Sequence, residues 1–123
     1  MSAQPVTPAA VLVTTVAFAL FLSVTAHVAA RNVLGDVPIR NAFVVGPVPA
    51  AVSVLVATFA AENQPLIFAG MVAAIVLDGV AIRALYDEST RLAAYITFIH
   101  FVVSVILGTI VFGLWALAIT APG

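Results

Sequence analysis

Four long runs of apolar residues, separated by short polar segments, set the pattern of this chain. They cover roughly residues 8–30, 41–61, 66–85 and 92–119. Each holds about 20 residues or more, the length an α-helix needs to cross the hydrocarbon core of a bilayer. The pattern predicts an all-α fold, a polytopic membrane four-helix bundle, as a single transmembrane domain over residues 1–123. Helix ends are legible too. Thr7 can cap a first helix with Pro8 at its first position. Ser89 or Thr90 can cap the fourth, and Ala121-Pro122-Gly123 ends it.

The second run departs from the plain pattern at Val45-Gly46-Pro47-Val48-Pro49-Ala50. Two prolines one residue apart remove backbone donors and crowd the preceding turn, and Gly46 adds freedom. The second helix is therefore expected to be kinked or broken near Gly46-Pro49. A start at Pro47 would leave about 15 residues, too few to span comfortably, so residues 41–46 must bend or fold against protein. Broken helices of this kind mark binding sites in many transporters, although a kink that serves only packing is the plainer alternative.

Charge turns this string into an oriented object. The chain is 64% apolar and 7% charged, with a mean hydropathy of +1.27. All four basic residues, Arg31, Arg40, Arg83 and Arg91, lie in the first and third inter-helical segments. With four crossings, those segments share one side. The positive-inside rule then puts the arginine loops in the cytoplasm, in a multi-pass plasma-membrane protein with both termini and the loop Glu62-Asn63-Gln64-Pro65 outside. The segment before Pro8 has no charged side chain to oppose this, and it lacks the basic region of a secretory signal. Tyr86 and Tyr95 fall near the arginine interface and Trp115 near the other, as aromatic anchors do. Arg83, Asp87 and Arg91 are spaced by four and would pair if the third helix ran on past the membrane.

Other classes are excluded or disfavoured. The chain has no cysteine, which removes disulfides, thiolate metal sites and thiol catalysis. A net charge of −1 offers no basic face, so no nucleic-acid partner is expected. The longest loop, from Arg31 to Arg40, has ten residues, too few for a soluble domain. Expected partners are the lipid bilayer and a homo-oligomer or larger membrane complex. No nucleophile elbow, phosphate loop, zinc-protease pair or acidic cluster is present, so the chain does not read as an enzyme.

Three ionisable residues lie inside the runs: His27, Asp78 and His100. Counted from the arginine boundaries, their depths come to roughly 6, 8 and 13 Å, with Pro47 at roughly 10 Å. Intramembrane acids are costly and usually face the bundle interior. Asp78 shares a face with Gly70 and Ala74, and His100 with Ala93, Thr97, Ser104 and Gly108. His27 lies one turn from Ser23, and the second run carries Gly46, Ala50, Ser53 and Ala57 along one stripe. Small-residue stripes let helices approach closely, so these faces are expected to converge. Asp78 and His100 are the expected core of a ligand or ion site, with His27, Gly46, Pro47 and Pro49 as its rim. Each has a structural reading as well: His27 at the interface, Asp78 neutral or paired with an arginine, His100 bonded to a hydroxyl across a seam.

The stretches Ala26-His27 with Arg31, Val33-Leu34-Gly35-Asp36-Val37-Pro38, Gly46 through Val52, and His100 with Val103 through Gly108 resemble a group of small uncharacterised membrane proteins of halophilic archaea. That resemblance implies a four-helix integral membrane protein and assigns no activity.

Three functional classes stay open. One is a bundle that binds or moves a small ligand or ion through a cytoplasm-facing pocket, with Asp78 as the proton or cation site. The second is a non-catalytic accessory or assembly subunit. The third is a redox subunit in which His27 and His100 ligate a haem iron or line a quinone pocket. The depth difference of roughly 7 Å makes a shared iron awkward, and a His27–Asp78–His100 metal site would have only three ligands.

Overall fold

The computed structural model describes residues 7–122, so residues 1–6 and Gly123 lie outside the described residues. The described chain is built of helices: α1 (Pro8–Leu34), α2 (Ile39–Val45), α3 (Pro47–Phe59), α4 (Gln64–Tyr86) and α5 (Thr90–Thr120). α2 and α3 form one kinked crossing over Ile39–Phe59, giving four helices long and apolar enough to span a membrane. The chain is a multi-pass membrane protein.

Local chemistry sets the ends. Thr7 Oγ1 accepts from Ala10 N at 3.1 Å ahead of Pro8, Asn63 Oδ1 from Leu66 N at 3.1 Å, and Ser89 Oγ from Leu92 N at 3.2 Å. Each side chain satisfies a first-turn amide that has no helical partner. α1 runs past the expected boundary to Leu34, so Arg31 is helical, and Gly35 turns the chain with φ +85°. The residues between α1 and α2 are only 35–38. α4 stops at Tyr86 because Asp87 takes a left-handed conformation, φ +52°. The expected Arg83–Asp87–Arg91 ladder is thereby broken, because the three residues do not share one helix.

The second crossing is kinked rather than interrupted. Gly46 keeps helical angles, φ −59° and ψ −44°. Pro47 and Pro49 cannot donate to the carbonyls of Phe43 and Val45, four residues back. The first amide bond across the joint, Ala50 N to Gly46 O, stretches to 3.4 Å against 2.9 Å for Gly46 N to Ala42 O.

The helices form a ring. α1 packs on α2, α3 and α5, and α4 packs on the same three, while α1 and α4 occupy one diagonal without backbone contact. One glycine serves each seam. A Cβ on Gly46 would overlap Ser23 of α1, standing 2.6 Å from its Cα; one on Gly79 would meet Thr97 Oγ1 at 3.1 Å. Gly70 faces Val56 and Gly108 faces Phe21. In lipid, where apolar burial drives no association, such close backbone approach supplies the packing.

Packing is uneven along the axis. Apart from Ala60, every buried residue falls within 22–30, 42–50, 74–82 or 93–100. These segments form the arginine end of the bundle. Ala26, Ala29, Ala42, Val45, Ile82, Ala93 and Ile96 make a continuous apolar plug there, contributed by α1, α2, α4 and α5. Toward the opposite end Gly70 still brings α4 close to Val56 of α3, but none of residues 101–120 of α5 is buried.

Candidate functional site

Just above the plug lies a buried polar cluster. His100 projects from α5 between α1 and α4, and its Nδ1 stands 2.6 Å from Asp78 Oδ2. Its Nε2 stands 3.1 Å from the Leu22 carbonyl and 3.0 Å from Thr25 Oγ1. Thr25 Oγ1 also donates to the Leu22 carbonyl at 3.1 Å and accepts from Ser104 Oγ at 2.9 Å. Asp78 and His100 are 5% and 3% exposed, so these partners are shielded from bulk solvent.

The inventory of donors and acceptors fixes the protons. A carbonyl only accepts, and the single Thr25 hydroxyl hydrogen is already given to it. His100 Nε2 must therefore carry a hydrogen, shared between Leu22 O and Thr25 Oγ1. One further proton lies between Nδ1 and Asp78 Oδ2. Whichever atom holds it, the pair is neutral in sum. That resolves the cost of an acid in a bilayer, since an isolated buried carboxylate would be several kcal/mol or more unfavourable.

One atom is left over. Asp78 Oδ1 is buried without a hydrogen-bond partner among the described residues. Asp78 and His100 lie at one end of a cavity of about 400 Å³ lined by residues of α1, α3, α4 and α5. Its polar lining comes from Ser53, Asp78, Thr97, His100 and Ser104, and the rest is mainly apolar, including Phe18, Phe21, Met71, Ile75 and Phe101. From the pair the lining runs mainly away from the arginine loops: His100 to Ser104 to Gly108, Asp78 to Ala74 to Met71, Leu22 to Phe18, Pro49 to Ser53; Thr97 alone lies one turn toward them. At helical rise, the eight steps of α5 from His100 to Gly108 measure roughly 12 Å. Ile75 of α4 and Phe101 of α5, which flank its side, are 42% exposed and 50% exposed.

The expected site residues therefore separate. Asp78 and His100 meet directly, and Pro49 lines the cavity beside them. Gly46 is buried against Ser23, and neither Gly46 nor Pro47 is among the lining residues. His27 is half-buried outside the cavity, with Nδ1 buried and unpartnered. Among the described residues no three metal-ligating side chains come together. A haem axial role fits poorly, because both ring nitrogens of His100 are engaged. The cavity also extends toward the end opposite the arginine loops, the reverse of the expected direction. The kinked α2 fails to open the arginine end because Ala42 and Val45, at its inner face, are part of the plug. Sequence reasoning missed Thr25 and Leu22, although the position of Thr25, one turn before Ala29 and two residues before His27, was a usable signal.

Fold and site together define a class: a multi-pass four-helix membrane bundle with a buried carboxylate–imidazole pair at the inner end of a largely apolar cavity. Within it, the chain belongs to DUF7473, a family of unknown function, which matches residues 5–122. No curated protein and no solved structure matches it.

Proposed function

We propose that this chain is a ligand-binding membrane protein, not an enzyme, which takes a small molecule into the cavity that ends at Asp78 and His100. The observation that carries the reading is the unpartnered Asp78 Oδ1 at a residue lining that cavity. A buried acceptor without a donor costs about 1–3 kcal/mol, which a ligand supplying the donor would recover. A cavity of about 400 Å³ is in the range used for small molecules. The arginine loops face the cytoplasm in this reading, so the cavity lies toward the outer leaflet. An origin in a halophilic archaeon belongs to the same reading and rests on the resemblance of stretches such as Gly46 through Val52 and Val103 through Gly108.

Native mass spectrometry of the protein extracted gently from its own membranes tests the reading. A defined bound mass that is lost in Asp78→Leu supports it. Bare protein, or protein bound only to a stoichiometric partner subunit, overturns it in favour of an accessory role. The one feature favouring that second role is the outer part of α5, residues 101–120, which no other helix buries.

A further inference from the structure

We propose that the ligand is a neutral, lipid-soluble alcohol, its hydroxyl donating to Asp78 Oδ1 and its hydrocarbon lying along the cavity toward the bilayer. This rests on the reading of the cavity as a binding site and adds the chemical class.

The head group follows from the proton inventory. Leu22 O, Thr25 Oγ1, Ser104 Oγ and both nitrogens of His100 are already engaged. Among the described residues the buried atom left without a partner at this end of the cavity is Asp78 Oδ1, and it is an acceptor; the Ser53 hydroxyl lines the cavity on α3 and is half-buried. A ligand that satisfies Asp78 Oδ1 must bring an O–H or N–H. Because Asp78 and His100 share one proton and are neutral in sum, a neutral donor leaves the buried site neutral. A cationic donor would leave an uncompensated positive charge unless it displaced that proton, because every other acid (Asp36, Glu62, Asp87 and Glu88) lies in or beside the inter-helical segments. Burial of an unpaired charge is strongly disfavoured.

The tail follows from the walls. Beyond the polar end, the lining passes to Phe21, Ile75, Phe101 and Val105. Ile75 and Val105 are 42% and 52% exposed, on helices that lipid surrounds, so the cavity is flanked by surface facing acyl chains. A molecule dissolved in the bilayer meets that side without crossing water.

The probe pair is 1-dodecanol and dodecane, titrated into the full chain in phosphatidylcholine nanodiscs and read by the Asp78 carboxyl carbon and His100 ring-nitrogen resonances. Dodecanol is expected to shift both saturably, and dodecane to bind at least about tenfold more weakly, the worth of one hydrogen bond to such an acceptor. Asp78→Asn sharpens the test. Its amide nitrogen can donate to His100 Nδ1 while Oδ1 remains an acceptor, so dodecanol affinity measured on the His100 resonances should stay within about threefold. Asp78→Leu should lose the preference for alcohol over alkane.

Equal binding of dodecanol and dodecane would overturn the alcohol assignment while leaving the pocket. So would preferential binding of dodecylammonium that rises about tenfold per pH unit and vanishes in Asp78→Asn, which would show a cation exchanging with the shared proton. If none of the three probes shifts either resonance, the alcohol assignment fails; the native mass measurement then decides separately whether the pocket reading falls too.

Discussion

His100 does more than neutralise Asp78. Its ring bonds α4 through Asp78 and α1 through Leu22 and Thr25, joining two helices that otherwise have no backbone contact. His100→Leu strands the carboxylate, and loss of about 3–5 kcal/mol is expected, as for a buried pair cut on one side. Adding Asp78→Leu should return much of it, since removing both partners is far cheaper than removing one. Denaturant unfolding in detergent across the double-mutant cycle measures this; additive losses would mean that the two side chains act independently. Asp78→Asn keeps a donor facing His100 Nδ1 and should cost less than about 1 kcal/mol in the same assay. At this scale the sequence was informative about identity and silent about pairing. The face shared by Gly70, Ala74 and Asp78 pointed the acid inward, and counting residues from the arginines put it near His100 in depth. The same count placed His27 at nearly the depth of Asp78, but depth does not report azimuth, and His27 turns aside from the cavity.

Among the elements, the kinked crossing is where sequence and structure are most instructive. Gly46-Pro47-Val48-Pro49 announces a disturbed helix, yet Gly46 holds helical angles and seats its bare Cα against the backbone of Ser23. Proline chemistry was legible locally; the tertiary contact that decides between a kink and a break was not. Gly46→Ala forces a methyl against main chain that cannot rotate away, and destabilisation of about 1–3 kcal/mol is expected. Gly113→Ala is the matched control, because a methyl there meets nothing within 4 Å. It should be neutral or gain up to about 1 kcal/mol from helix propensity. Equal effects of the two substitutions, read as shifts in thermal midpoint, would show that the Ser23 contact is not tight. The hydroxyls of Thr15, Ser23, Thr97, Thr109 and Thr120 each return to the carbonyl four residues back, which hides them from lipid within their own helix.

For the whole molecule, the count of crossings was readable because twenty-residue apolar runs have few alternatives in a chain of this length. The unevenness of packing was not. Nothing in the composition distinguishes residues 22–30, where six side chains are buried, from residues 8–21, where none is. The difference arises because small residues such as Ala26, Ala29, Ala42 and Ala93 coincide across seams at the arginine end. Orientation is direct to test in a chain without cysteine. A single Glu62→Cys should react with a membrane-impermeant maleimide on intact cells, and Asp36→Cys only after permeabilisation. The opposite result would invert the topology and turn the cavity toward the cytoplasm.

The plug has an electrical meaning as well. Ala29, Ala42, Val45 and Ile96 are fully buried, and Ala26, Ile82 and Ala93 nearly so. Between the buried pair and the arginine loops the plug itself is thus hydrocarbon, and the groups beside it that could hold a hydrogen ion are the buried Tyr86 hydroxyl and His27 Nδ1. A membrane that stores energy as a proton gradient can accommodate an acid at this depth only if it does not short the circuit. Here the carboxyl sits on one side of a hydrocarbon layer, so in this conformation a hydrogen ion leaving it toward the arginine loops would have to pass by way of Tyr86 or His27 and not through the plug.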